Sequence, residues 1–169
     1  NAVNFIMEHE PVSYPEALRW LAKKCNIEIK ERELTGEEKR EASERESMFV
    51  VNEWAMQYFQ QVINTQPDGK AIGLHYLRSR GFRDHIIEKF KLGFALADRS
   101  ALSSTARRQG YQEEFLVKTG LCYRKESTSE LVDRYAGRVI FPWINVSGKV
   151  CAFGGRLLDS RTKGVQQKY

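Results

Sequence analysis

The sequence predicts an α+β fold, a helical N-terminal segment and linker followed by a subdomain that mixes helices with antiparallel strands. Apolar residues recur at helical spacing in several segments between residues 13 and 118. Near the end of the chain, two apolar runs close to Arg138–Ile144 and Lys149–Gly154 flank a turn of four residues, 145–148. Helices that precede antiparallel strands are typical of the α+β class.

The first predicted helix lies within Pro11–Ile29. Ser13 and Glu16 have the spacing of a capping box, and Asn26 is a suitable C-cap. A helix with one apolar stripe must pack against a partner surface. Its apolar face consists of Ala17, Leu18, Leu21 and Ala22.

A segment dense in charge follows at 31–47, and we interpret it as a linker that becomes helical toward Met48. Its composition suits either a tether or a solvated helix. Thr35 and Glu38 have the spacing of a second capping box. From Met48 onward, apolar residues at helical spacing predict a strong helix, whose aromatic side chains we assign to the core.

Short elements connect this helix to the C-terminal hairpin. A helix is predicted over Lys70–Ser79, ended by Gly81, and the next helix directs Ile86, Ile87 and Phe90 inward. The remaining elements are a strand at Leu92–Ala95, short helices within 100–111 and 112–119, a strand at Leu121–Arg124 and a polar loop over 125–133.

The charges are divided unevenly along the chain. Residues 1–69 carry 8 basic and 13 acidic side chains, whereas residues 70–169 carry 19 and 9. From Arg134 to the end, 7 basic residues face the single acid Asp159. A cationic half joined to an anionic half is expected of a surface that binds a polyanion.

Several classes of protein are disfavoured. No apolar run approaches the roughly 20 residues that cross a bilayer, and the N-terminus lacks the pattern of a signal peptide. The chain begins at Asn1 rather than Met, which suggests a piece of a longer protein. Cys25, Cys122 and Cys151 lie far apart, as expected of reduced thiols in a cytosolic protein.

No catalytic or metal-binding motif stands out in the sequence. The three histidines are scattered, and acidic residues are nearly absent from the last third of the basic half. We therefore expect no catalytic set and no metal site here, so that any catalytic metals of a longer protein lie elsewhere.

The residues Gly154-Gly155-Arg156 allow two interpretations. Glycine in a strand often marks a bulge, a turn or a close backbone approach. Alternatively, the glycines let a phosphate come close while Arg156 binds it with its forked guanidinium. Arg80, before Gly81, shows the same ambiguity, because a helix-terminal arginine suits both the helix dipole and a phosphate.

Four sets of residues, in order, resemble a known family. The runs 134–142, 148–150, 152–156 and 168–169 resemble the hairpin signature of bacterial DNA primases of the DnaG type, R-F-R-x-R-V-x-F-P, G-x-V-x-x-F-G-G-R and K-Y. The run 76–95 is similar to the family's Y-L-x-x-R-G and I-G-F-A pattern. Residues 1–17 resemble the tail of the family's zinc-binding domain.

The resemblance implies part of a template-directed RNA polymerase that makes short RNA primers on single-stranded DNA during replication. Residues 1–30 would be the remnant of the zinc-binding domain, 31–47 the linker and 48–169 the N-terminal subdomain of the polymerase core, without its toprim subdomain. No catalysis is expected of this part alone.

The resemblance also implies cofactors and partners. This part would bind no cofactor, while the full-length family implies zinc in the zinc domain and Mg²⁺ or Mn²⁺ in the toprim subdomain. Partners would be the single-stranded DNA template, nucleoside triphosphates, the RNA primer and a replicative helicase bound through another region. We expect a monomer at the cytoplasmic replication fork, away from membranes.

The family's motifs assign the binding residues. Arg80, Arg156, Lys168 and Tyr169 would contact nucleotide or the template–primer backbone, and Arg134 and Arg138 would extend the basic strip. Ala136 departs from the pattern, because it stands where the family often has an arginine. Arg138 has an alternative structural role, in which it pairs with a carboxylate such as Asp133.

Two other functions remain open from the sequence. The chain could be a protein-interaction module whose first helix docks on a partner while the basic face is incidental. It could also be a piece of a toprim-related topoisomerase, although the absence of an acidic metal motif and the presence of the hairpin signature disfavour that class.

Overall fold

The computed structural model of the chain describes residues 2–10, 12–28 and 34–158. It confirms the α+β class: helices are packed with a three-stranded antiparallel sheet, ordered β1-β4-β5, and a two-stranded sheet, β2-β3. The helices are α1 Ala2–His9, α2 Tyr14–Lys24, α3 Gly36–Thr65, α4 His75–Ser79, α5 Asp84–Lys89, α6 Ala101–Arg108 and α7 Glu113–Lys118. The strands are β1 Gly93–Phe94, β2 Cys122–Arg124, β3 Leu131–Asp133, β4 Arg138–Ile144 and β5 Val150–Leu157.

The predicted first helix is α2, and its cap is as expected. The backbone N–H of Ser13 donates to Oε2 of Glu16 at 2.7 Å, which completes the capping box. At the other end the prediction of Asn26 as the C-cap is wrong, because Cys25 is the C-cap and Asn26 follows it with a φ of 52°. Within α2, Ala17 and Ala22 are buried, and α2 packs against α1.

The charged segment is more helical than the sequence analysis predicted. Because Thr35 and Glu38 cap its start, α3 begins at Gly36 and runs without a break to Thr65. Ion pairs to residues distant in sequence contact its solvated first half, since Lys118 pairs with Glu44, and Lys149 with Glu46 at 3.0 Å. The expectation that helix forms only toward Met48 is therefore wrong.

The second half of α3 forms the centre of the core. Phe59 packs edge-on against Phe153 of β5, with ring centroids 5.6 Å apart. The opposite face of the three-stranded sheet belongs to a second cluster, in which Val139 joins Leu77 of α4 and Ile87 of α5. The sheet is thus covered by apolar side chains on both faces near β1.

A π-helical segment, Gly69–Leu74, leads into α4 and replaces the first half of the predicted helix. Its glycines permit close packing. A Cβ at Gly69 would lie 2.0 Å from the carbonyl oxygen of Val62, and one at Gly73 would lie 2.8 Å from the ring of Phe94. The backbone of this segment therefore rests directly on α3 and β1.

Two further expectations were wrong. The polar loop predicted over 125–133 contains β3, which pairs with β2 in antiparallel register, because Leu131 and Val132 are apolar and become buried. Phe90 was expected to point inward but is 57% exposed, since α5 ends at Lys89 and Phe90 is its C-cap. No helix of the described residues is long and apolar enough to span a membrane.

Candidate nucleic-acid interface

The predicted hairpin is formed by β4 and β5, and its turn is closed by a side chain. Oδ1 of Asn145 accepts from the backbone N–H of Ser147 at 3.0 Å and of Lys149 at 2.9 Å. The register shifts between Trp143 and Ile144, where Cys151 is the extra residue on β5.

Buried Asn52 of α3 anchors this bulge. Its Nδ2 donates to the carbonyl oxygens of Val150 at 3.1 Å and Cys151 at 3.2 Å. Val150 is buried while Cys151 is exposed, so the bulge returns the apolar side chain to the core. The anchor fixes how the outer part of the hairpin meets α3.

The glycine pair lies inside β5, not at its end. Gly154 pairs with Phe141 and Gly155 with Ile140 without a local bulge, and the strand continues to Leu157. The turn-or-bulge interpretation is therefore wrong for these residues. A Cβ at Gly155 would lie 2.5 Å from Cδ1 of Tyr135, so that space is filled by the protein's own side chain and not kept for a phosphate.

Gly154 differs from its neighbour. It is exposed, and a Cβ added to it would meet nothing closer than the carbonyl oxygen of Phe141 at 3.8 Å. The space above Gly154 is open to a ligand.

The register separates two of the predicted binding residues. Arg138 pairs with Leu157, and Val139 pairs with Arg156. Cross-strand partners share a face and successive residues alternate, so Arg138 and Arg156 project from opposite faces of the hairpin. The predicted basic strip is therefore divided between two sides of the sheet.

Arg80 and Arg156 border the same cluster. Arg156 is half-buried beside its partner Val139, and Arg80 is the C-cap of α4, with its guanidinium 5.4 Å from the centroid of the Tyr76 ring. The chain then turns so that Phe82 lies against Phe141 of β4, with ring centroids 6.5 Å apart. The end of α4 thus reaches the hairpin face that carries Arg156.

Arg134 and Arg138 support the backbone on the other side. Nε of Arg134 donates to the carbonyl oxygen of Gly120 at 2.8 Å, and its guanidinium lies 5.5 Å from the Tyr123 ring centroid. Nη1 of Arg138 donates to the carbonyl oxygens of Arg134 and Ala136, both at 3.2 Å. Ala136 therefore contributes to this support through its backbone. Lys168 and Tyr169 lie outside the described residues.

The suggested pairing of Arg138 with Asp133 is wrong. The carboxylate of Asp133 is buried and accepts from the backbone N–H groups of Leu102 at 2.7 Å and Ser103 at 3.0 Å, at the start of α6. Burial raises the pKa of Asp133 and of the Cys122 thiol, whose Sγ lies 3.5 Å from Oδ1 of Asp133. Local sequence gives no signal for this cap, because its partners are 31 and 30 residues away.

No group of three or more histidine, cysteine, aspartate and glutamate side chains that could hold a metal ion occurs among residues 2–10, 12–28 and 34–158. The residues described here therefore do not fit the zinc or the divalent cation that the primase resemblance implies for a full-length protein. What the site does offer is arginine guanidinium groups and aromatic rings, which suit phosphates and bases.

The chain is similar in sequence to known DNA primases. The family model for the DNA primase catalytic core, N-terminal domain, matches residues 58–169. The DNA primase of Halalkalibacterium halodurans is 34% identical over 164 residues, which cover 96% of this chain and 27% of that protein. The DNA primase of Deinococcus radiodurans is 34% identical over 155 residues, 92% of this chain and 25% of that protein. The chain thus spans about a quarter of the length of these curated relatives.

Solved structures of DnaG catalytic domains have a similar fold. A DnaG primase catalytic domain bound to single-stranded DNA matches 72% of this chain and 38% of that one, with a TM-score of 0.65 and 26% identity. The RNA polymerase domain of Mycobacterium tuberculosis DnaG, in complex with a double-stranded DNA oligomer with a 6-nucleotide overhang, gives 0.65 and 27% over 73% of this chain and 37% of that one. The sequence resemblance is confirmed, and the chain belongs to the family defined by the N-terminal domain of the DNA primase catalytic core.

Proposed function

We propose that this chain is part of a DNA primase and supplies a basic surface that binds the single-stranded template and the nucleotides. The family match over residues 58–169 carries the proposal. In such a protein the chain contributes binding and positioning, while the RNA-polymerising chemistry belongs to another part.

The charge of the hairpin supports binding of a polyanion. Between Arg134 and Leu158 there are four basic residues and no acidic one. A guanidinium binds phosphate oxygens through two parallel N–H groups. We assign Arg156 and Arg80 as the first contacts to phosphate, because Arg156 lies on the hairpin face that Phe82 approaches, and Arg80 ends α4 two residues before Phe82.

Arg134 and Arg138 have a second place in this proposal. Their Nε and Nη1 atoms hold backbone carbonyls, and a guanidinium has five N–H donors in all. Any contact that they make to nucleic acid uses the remaining donors. Lys168 and Tyr169 complete the proposed set, the lysine as a point charge and the tyrosine as a ring that stacks on a base.

The wider assignments follow the family. The full-length protein would carry zinc in a zinc-binding domain, to which residues 1–30 would belong, and Mg²⁺ or Mn²⁺ in a toprim subdomain. It would use nucleoside triphosphates, extend an RNA primer and bind a replicative helicase in the cytoplasm. Residues 48–169 would form the N-terminal subdomain of the polymerase core.

Fluorescence anisotropy with a labelled single-stranded oligonucleotide tests the binding. Affinity should fall with salt, with a log–log slope of about −0.7 for each phosphate neutralised. Arg156→Ala should flatten that slope by about 0.7 or less, whereas Arg40→Ala, in the acidic half, should leave it unchanged. Absence of binding at low salt, or an affinity that ignores salt, would contradict the proposal.

One observation favours the alternative of a protein-interaction module. Three large apolar side chains of α2, those of Tyr14, Leu18 and Trp20, are exposed. If this surface were the functional one, Trp20→Ala would abolish partner binding and leave binding to single-stranded DNA unchanged. The two functions are thus separable by one variant.

A further inference from the structure

An exposed aromatic surface lies on the hairpin face that carries Arg156. Trp143 is 73% exposed, more than any other aromatic side chain among the described residues. Its cross-strand partner, Ala152, is also exposed. The next pair toward Arg156 is Phe141 with Gly154, and both lie on this same face.

The two strands contribute different side chains to this face. On β5, the positions between Arg156 and the turn carry no side-chain atom at Gly154 and only a methyl group at Ala152. On β4, the exposed ring of Trp143 stands beside them, and so does the half-buried ring of Phe141, which also packs against Phe82. The result is an open lane along β5 bordered by two aromatic side chains, which we call the β5 lane.

Charge indicates what occupies the lane. The hairpin itself has no carboxylate between Arg134 and Leu158, so its own side chains do not repel an acidic partner, and Glu46 of α3 is paired with Lys149 beyond the strand pairs of this face. A nucleic acid strand supplies both matching chemistries, phosphates for arginine and flat bases for aromatic rings.

The spacing of the face also suits a strand of nucleotides. Successive pairs on one face of a strand lie about 7 Å apart. Arg156 is two such pairs from Ala152 and Trp143, a distance of about 14 Å. A base on Trp143 and a phosphate on Arg156 would therefore belong to different nucleotides of one strand.

We propose that the β5 lane is a base-stacking platform for single-stranded nucleic acid, with Trp143 as its principal stacking residue and Phe141 as the second. The proposal rests on the proposed function and refines it, since it assigns the outer hairpin to bases and Arg156 to phosphates. The bulge at Cys151, anchored by Asn52, fixes the part of the hairpin that carries Trp143.

The test measures the affinity of two oligonucleotides for the full-length polypeptide that contains this chain. One is a labelled run of about 8 thymidines, and the other has the same backbone without bases. Trp143→Ala should weaken binding of the thymidine strand about 5- to 150-fold and leave binding of the abasic strand and the salt slope unchanged. Trp143→Phe should retain most of the affinity.

Matched variants complete the design. Trp20→Ala removes another exposed tryptophan, 48% exposed on α2, and should affect neither strand. Arg156→Ala should weaken both strands. Because the Trp143 side chain is exposed, the Trp143→Ala protein should keep the wild-type fold, and its circular dichroism spectrum checks this.

The outcomes separate the two proposals. If wild type binds both strands with salt dependence but Trp143→Ala changes neither affinity, or changes both equally, the stacking platform is refuted and the proposed function stands. If wild type binds neither strand, both fail. If Trp143→Ala instead dissolves a dimer of the wild type, the surface is a protein interface, and the stacking proposal is overturned.

Discussion

Substituting the two adjacent glycines of β5 separates packing from ligand space. The Cβ of Gly155→Ala would lie 2.5 Å from Cδ1 of Tyr135 and 2.8 Å from Cδ of Arg138. Both distances are shorter than ordinary contacts, and the Tyr135 ring is held by its hydroxyl, which donates to the carbonyl oxygen of Phe153 at 2.8 Å. Gly154→Ala meets nothing closer than 3.8 Å.

The two substitutions should therefore change the free energy of unfolding by different amounts, and even in opposite directions. Gly155→Ala should cost about 1–3 kcal/mol for overpacking, and about 1 kcal/mol more if the Tyr135 hydrogen bond is lost. Gly154→Ala has an ordinary strand conformation and should be neutral or stabilising by up to about 1 kcal/mol.

Urea denaturation followed by circular dichroism measures both variants. With an m-value of about 2 kcal/mol/M that stays unchanged, the urea midpoint of Gly155→Ala should fall by about 0.5–1.5 M. In the double variant Tyr135→Ala/Gly155→Ala, the loss should be smaller than the sum of the single losses, because the clash disappears. Equal losses for the two glycine variants would refute this account of the strand.

Three further predictions concern caps and ion pairs. Asp133→Asn should cost about 1–3 kcal/mol at pH 7, because the two N–H groups of α6 bond to different oxygens of Asp133 and an amide keeps only one of them. Burial raises the pKa of Asp133 in the folded protein above 3.8, so the wild type should lose stability relative to this variant as pH rises through that folded pKa. A difference in unfolding free energy that stays constant with pH would contradict this prediction. Glu113 accepts from Arg124 and Arg107, and its pKa is lowered chiefly by the hydrogen bond from Arg124. The stability that these ion pairs contribute should be present above pH 4.5, be lost as pH falls through the folded pKa of Glu113, and weaken in salt. If thermal melts of Glu113→Gln respond to salt as those of the wild type do, the ion pairs of Glu113 do not contribute. Thr35→Ala should speed hydrogen exchange in the first turn of α3 and cost about 1 kcal/mol; unchanged exchange there would show that the cap is dispensable.

Sequence reasoning found the helix starts that depend on neighbouring residues. The capping boxes at Ser13 and Thr35 are local patterns, and both are present in the structure. The charge density of residues 36–47 predicts a linker, whereas the cap at Thr35 is the local signal for the longer helix α3. Its first half is held by Lys118 and Lys149, whose proximity depends on the tertiary fold.

In the hairpin, the sequence predicts the face on which each side chain lies but not its cross-strand partner. A simple four-residue turn would pair Ile144 with Lys149, but the structure pairs Ile144 with Val150 and then inserts the bulge at Cys151. Each of these two changes moves the pairing by one residue. A total shift of two residues leaves every side chain on the face that the simple turn predicts. The opposite orientations of Arg138 and Arg156 were therefore predictable from the period of a strand, whereas the true partners were not.

Gly155 illustrates what sequence cannot supply. Its position indicates a need for space, but only the structure shows that the Tyr135 ring fills it. The family resemblance identified the candidate arginines. The fold then separated Arg80 beside the Tyr76 ring and Arg156 opposite Val139 from the arginines that hold backbone carbonyls.

Photo-cross-linking of a halogenated-deoxyuridine strand tests most directly where nucleic acid lies. The central claim is that the strand crosses the hairpin face that carries Arg156, near the end of α4. The account predicts cross-links to Trp143 and Phe141, or to Phe82, in the peptides that contain them. Cross-links confined to Tyr111 or Tyr123, with none on the hairpin face, would contradict it.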